Sequence, residues 1–368
     1  MTRRRWLIAI LAVLAFTLAN WWLFHKPSTQ GPGLATVRFG ISAFQDTLLP
    51  VVSEQKGWYH EEGLNVELKV LGWTEVQEAL AAGQVDVALN NISAVIGIHS
   101  RAPDIVYLYG LNPFDNGSAL MIRPDGKLKT VQQIEAQVHD HAEAVRMAAA
   151  QLKGKSVVTT GQTDMEQAVA AAARRGGLDF RKDLKIVDLN PDEGLAAFLG
   201  GEGDAYLGGI PQRTRAGKEG MLEMLTGADL GPPPINGLVT TRSYYQAHQK
   251  ELLKILKVWF KTVRYIDSNE DEGGGIIVKR LNENTGAKFT LDDFKKFWNN
   301  YEHYPPTPRD AESLILDPNG RNYWKAAWDD CNNYFFDIAH KIPQPVNPSG
   351  TFLMQEVQAA YIREFGNQ

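Results

Sequence analysis

The chain has 368 residues, 44% apolar and 22% charged, with a formal net charge of -5, which is enough to bury two modest cores. Its Lys and Arg are scattered, with no basic stripe interleaved with aromatics, so a nucleic-acid groove is excluded. One cysteine, Cys331, excludes an internal disulfide, a CxxC zinc site and an iron–sulfur cluster.

In chain order, Arg3, Arg4 and Arg5 precede an uncharged run over 6–24 that ends in Trp21, Trp22 and Phe24. That is the pattern of an export signal, and positive charge ahead of the run directs the remainder of the chain to the extracytoplasmic, periplasmic side. As a helix the run would measure roughly 28 Å, about the thickness of a bilayer's hydrocarbon. Retention as an inner-membrane anchor and cleavage after Thr17-Leu18-Ala19 are both open, and with no cysteine nearby a lipid-modified N-terminus is not expected. Residues 25–35, with Pro27, Gly31, Pro32 and Gly33, read as a tether.

From residue 36 strand and helix alternate. Val37, Phe39 and Ile41 alternate as a strand, a helix is expected over 46–57, and Val66, Leu68 and Val70 form the next strand. A helix over 71–82, a strand over 85–89, an apolar helix over 92–100 and a strand over 105–109 continue the rhythm of a parallel sheet. It restarts with strands at 118–122 and 155–159, a helix over 165–175, a strand over 184–189 and a helix over 190–199. Asn190 and Glu193 are expected to cap that last helix.

The segment Gly83-Gln84-Val85-Asp86-Val87-Ala88-Leu89 reappears 118 positions later as Gly201-Glu202-Gly203-Asp204-Ala205-Tyr206-Leu207, each time after a helix and before a loop. Upstream, Gly57 and 63–71 match Gly176 and 184–190 in the same order. The expected fold class is therefore α/β, with two similar lobes.

Further motifs point to a family. The run Gly57-Trp58-Tyr59-His60-Glu61-Glu62-Gly63-Leu64-Asn65-Val66, following a helix, resembles the G-x-(F/Y)-x-x-x-G-L-x-V signature of the nitrate, sulfonate, taurine and thiamine-precursor binding proteins of ABC importers. Ala79 to Asp86, Leu152 to Val157, and Gly201 to Ala205 with Pro211 agree in order, so the resemblance spans about 36–266. It implies a type II periplasmic-binding fold with two crossing segments, near 112–118 and 234–237. The lobes would be 36–115 and 116–236, with 237–368 returning to the first. It also implies a small polar solute, no catalysis, no cofactor, and an ABC permease with its ATPase as partners. A membrane-tethered sensor lobe without transport is the alternative. A related pyrimidine synthase is remote, because its iron motif needs more cysteines, and the chain has no HExxH, GxSxG or Walker loop.

In open α/β sheets ligands bind beyond the carboxyl ends of strands. That rule selects the loops at 42–47, 90–93, 160–164 and 208–211. On the resemblance, Phe44, Gln45, Trp73, Asn91, Ser93, Thr160 and Thr163 are candidate ligand contacts, with helix capping as the plainer role for the Ser, Thr and Asn residues; Gly209 joins them from its loop. Asp46 and Asp164 occupy matching places in the two lobes. Either they sit in first helical turns with side chains turned away, or they face the cleft, in which case the ligand carries an ammonium, amidine or amide stacked on Phe44 or Trp73. Two departures from the family stand out: a helical insert over 130–152 and an aromatic tract over 299–368, read as lobe-capping packing. His139, His141 and Glu143 within the insert are read as a solvated helix face, not a metal site, because i and i+2 positions on a helix diverge.

Overall fold

The structure is a computed structural model that describes residues 34–367. The expected membrane segment at 6–24 lies outside the described residues; among those described, no helix is long and apolar enough to cross a membrane. Ten strands occur in them: β1 Ala35–Ser42, β2 Leu64–Leu71, β3 Val87–Asn91, β4 Ile105–Pro113, β5 Ala119–Ile122, β6 Ser156–Thr159, β7 Lys185–Asp188, β8 Ala205–Gly208, β9 Leu222–Thr226 and β10 Ile235–Thr241. They form two five-stranded sheets, in the orders β2-β1-β3-β10-β4 and β7-β6-β8-β5-β9. In the first, β1 and β3 are parallel and β10 runs antiparallel to β3 and β4. In the second, β6 is parallel to β7 and β8, and β5 is antiparallel to β8 and β9. Strands β3 and β4 are buried along their whole length, as expected of strands covered by helices on both faces.

The internal repeat has a structural cause. The Arg38 N–H donates to Asp86 Oδ2 at 2.8 Å, and the Ser156 N–H donates to Asp204 Oδ2 at 2.9 Å. Each acid's own N–H returns the bond, to Arg38 O at 2.8 Å and to Ser156 O at 2.7 Å. One aspartate per lobe thus ties the start of β3 or β8 to the neighbouring parallel strand, β1 or β6. Gly83 and Gly201 lie just upstream with φ of 67° and 107°, a backbone region that L side chains resist, and they turn the chain from helix into strand.

Several expectations shift. The helix expected over 46–57 begins only at Leu49, with Pro50 in its first turn, because proline cannot sit deeper in a helix. Asp46 therefore lies in the turn before the helix. Asn190 occupies the N-cap position of the helix Pro191–Leu199, but its side chain makes no cap bond. The insert is two helices, Val131–Val138 and His141–Ala150, broken where His139 takes a φ of 59° and Asp140 caps the second. His139 thus lies between the two helices and His141 opens the second, with both ring nitrogens of His141 3.0 Å from acids, Glu135 and Asp229.

The first crossing occupies 114–118, between β4 and β5. The second passes through the short helix Gly227–Leu230 and Pro232, Pro233 and Pro234 to β10. Prolines have no N–H for a ladder, so pairing resumes directly after them and Asn236 belongs to the first sheet, not to the crossing. The aromatic tract packs as expected, with Trp298, Trp328, Tyr334 and Phe335 buried. The segment returning to the first lobe also reaches the second: Lys218 Nζ meets Asp293 at 2.6 Å, and Asp330 accepts from Gln167 and Arg174, each at 2.8 Å.

Candidate functional site

Four loops at the carboxyl ends of β1, β2, β6 and β8 converge on the cleft between the lobes. After β1 the chain turns through Phe44 and Asp46; after β2, Trp73 begins the helix Trp73–Ala81; after β6, Asp164 begins the helix Asp164–Arg175; after β8, Gly209 precedes the helix Ile210–Lys218. Phe44, Asp46, Trp73, Asp164 and Gly209 line one small chamber, together with Phe114, Met165 and Asn236.

The rings of Phe44 and Trp73 meet edge to face at 5.3 Å. Trp73 Nε1 donates to Asp164 Oδ1 at 3.0 Å, a bond from one lobe to the other. Asp46 accepts a hydrogen bond from the Asn236 amide, and the Gln45 amide donates to Glu302 at 2.7 Å. The lobes approach so closely that a Cβ on Gly209 would lie 2.5 Å from the Phe44 ring. Only glycine fits there.

Burial raises the pKa of Asp46, and the nearby charge of Asp164 adds to it. Burial likewise raises Glu302, next to Asp46, and Asp164, where the Asn91 and Trp73 side chains oppose the effect. Among the described residues no Lys, Arg or His pairs with any of these carboxyls. The chamber therefore holds a group of acids with two aromatic rings and no compensating cation. Both aspartates line the chamber, Asp164 from the first turn of its helix and Asp46 from the turn ahead of one.

The remaining candidates stand farther back. Gln45 is fully buried behind the chamber, held by Glu302. Asn91 caps the helix Ile92–Ile98, accepting from the Ala94 N–H and, at 2.7 Å, from Ser93 Oγ, which steadies the cap. Thr160 Oγ1 donates to Leu189 O at 2.9 Å, and Thr163 Oγ1 to Thr160 O at 2.7 Å while capping the helix Asp164–Arg175. These hydroxyls are spent on backbone and do not line the chamber. Sequence reasoning missed Glu302, Asn236, Phe114 and Met165. Glu302 carried one signal, an acid inside the aromatic run Trp298, Tyr301 and Tyr304; Asn236 was hidden by its assignment to the crossing.

Residues 30–277 match the sequence profile of the NMT1-like family. Among solved structures, the chain is similar in fold to the periplasmic aliphatic sulphonate binding protein SsuA from Escherichia coli (TM-score 0.65, 16% identity, 88% of this chain and 92% of that chain). It is similar to the alkanesulfonate-binding protein SsuA from Xanthomonas axonopodis pv. citri bound to MOPS (0.65, 16%, 88% and 99%). It is also similar to the periplasmic nitrate-binding protein NrtA from Synechocystis PCC 6803 (0.59, 16%, 91% and 99%). No curated protein matches the sequence. At these identities the structural likeness establishes the fold.

Proposed function

The chain belongs to the NMT1-like family, and on that basis we propose that it is the extracytoplasmic solute-binding component of an ABC importer whose cargo is a small organic cation. The solute would carry an ammonium, amidinium or aminopyrimidinium group held between Phe44, Trp73 and the acids, and the closed form would dock on a permease without chemistry at the site. Tethering to the inner membrane through 6–24 is part of this reading, supported by the three arginines ahead of an uncharged run.

One observation carries the choice of cargo: Asp46, Asp164 and Glu302 face or back the chamber with no basic partner. Once one of these acids is ionised, its unit negative charge about 4 Å from an anion costs on the order of 4 kcal/mol at an effective dielectric near 20, so a sulfonate or nitrate is disfavoured there as pH rises through their raised pKa values. A cation gains from the same field and from the two aromatic faces.

The test is thermal melting of the purified protein against ammonium, amidinium and aminopyrimidine solutes beside taurine, alkanesulfonates and nitrate. A ligand at about 100 times its Kd adds about 2.7 kcal/mol to stability, and the cations are expected to give that shift. A shift with sulfonate or nitrate and none with any cation would reverse the assignment.

A further inference from the structure

The chamber around the acids adjoins a second, larger one and shares Phe114, Asp164, Met165 and Gly209 with it. Past the shared residues the second chamber is walled by Ala168, Ala171, Leu230 and Pro233. Beyond Asp164, two acids on its rim have basic neighbours: Asp330 is held by Gln167 and Arg174, and Asp115 faces Arg321 at 3.2 Å. Asp46 lines the first chamber alone, and Asp164 stands where the two meet. One helix joins the two, because Asp164, Ala168 and Ala171 fall at i, i+4 and i+7 of Asp164–Arg175 and so share a face. At ~1.5 Å per residue that face runs roughly 10 Å from the carboxylate to Ala171, room for a chain of several carbons.

Resting on the proposed function, we infer that the two chambers form one bipartite site for an organic cation bearing an apolar arm. Its charged, flat head lies against Phe44 and Trp73 at the acids, and its arm lies along Ala168 and Ala171 toward Leu230 and Pro233. A cation without the arm leaves the larger chamber unfilled and forfeits the burial that chamber offers.

The experiment is calorimetric titration of the purified full chain with benzamidinium and with 4-butylbenzamidinium, reading the ratio of the two dissociation constants. Burial of several methylenes predicts that the butyl compound binds about tenfold tighter or more. In Ala171→Phe, and in the milder Ala168→Leu should the first fail to fold, filling the arm chamber brings the ratio down toward one. Equal binding of the two compounds, or a ratio that neither substitution changes, overturns the arm and leaves the cation reading standing. Binding of neither compound overturns both.

Discussion

Asp46 and Glu302 hold protons that the unfolded chain would have lost. Burial raises Asp46 to about 7 and Glu302 to about 8, whereas free carboxyls titrate near 4. In the interval the folded state binds more protons than the unfolded one, so stability from these groups is full below about pH 4 and is lost as pH rises toward about 8. The ligand-free protein is expected to melt at a lower temperature at about pH 8 than at about pH 5.5, and Asp46→Asn is expected to reduce that difference. A bound cation has the opposite linkage: it favours the ionised acids, releases protons on binding, and binds tighter as pH rises through the same window. Titration calorimetry in two buffers of different ionisation enthalpy measures that release, and proton uptake on binding would contradict the cationic ligand. Loss of cation affinity in Asp46→Asn completes the test, and unchanged affinity would remove Asp46 from the site. Asp46 and Asp164 were legible in the sequence because they keep the 118-residue offset of the repeat. Glu302 was not, because it reaches Gln45 from 257 residues away and no local pattern encodes such a contact.

Among the elements, the repeated Gly-x-x-Asp marks a duplicated architecture, and the hydrogen bonds show what each copy does. The two acids differ in surroundings: the Asp86 side chain is 13% exposed and also pairs with the Arg38 guanidinium, while the Asp204 side chain is 36% exposed and pairs with Lys155 at 3.6 Å. Removing a buried hydrogen-bonded acid leaves its backbone partner unsatisfied, at about 1–3 kcal/mol. Asp86→Ala is therefore expected to lower unfolding stability by about 2 kcal/mol and Asp204→Ala by about 1 kcal/mol, measured by urea denaturation; the reverse order would mean the Asp86 tie is not what anchors β3. Strand and helix periodicity was legible because burial imposes it directly on the chain. Helix starts were less so. Pro50 delayed one helix past Asp46, and Asp140 split the insert, each a single-residue decision that overrode a longer pattern.

At the scale of the molecule, the lobes are held shut by contacts of unequal strength. The Trp73–Asp164 hydrogen bond and the Phe44–Gly209 approach lie in the cleft itself. The tract after residue 290 adds two ion pairs to the second lobe, Asp293–Lys218 and Asp330–Arg174, whose basic side chains are 44% and 45% exposed. The composition of that tract announced packing, and its large aromatics do pack. Its acids looked like ordinary surface charge, because sequence does not say which lobe a returning segment will touch. Exposed pairs contribute about 0.2–1 kcal/mol each and weaken with salt, so they bias closure without locking it. If closure is the binding-competent state, affinity falls by the fraction of molecules left open. Lys218→Ala combined with Arg174→Ala is then expected to weaken cation binding by roughly twofold to thirtyfold, and to raise the ligand-free radius of gyration in small-angle scattering, with high salt reproducing part of the effect in the unaltered protein. A double variant that scatters as compactly as the parent and binds as tightly would show that the two ion pairs do not set closure, and Gly209→Ala, which drives a methyl into Phe44, would then be the substitution expected to open the cleft.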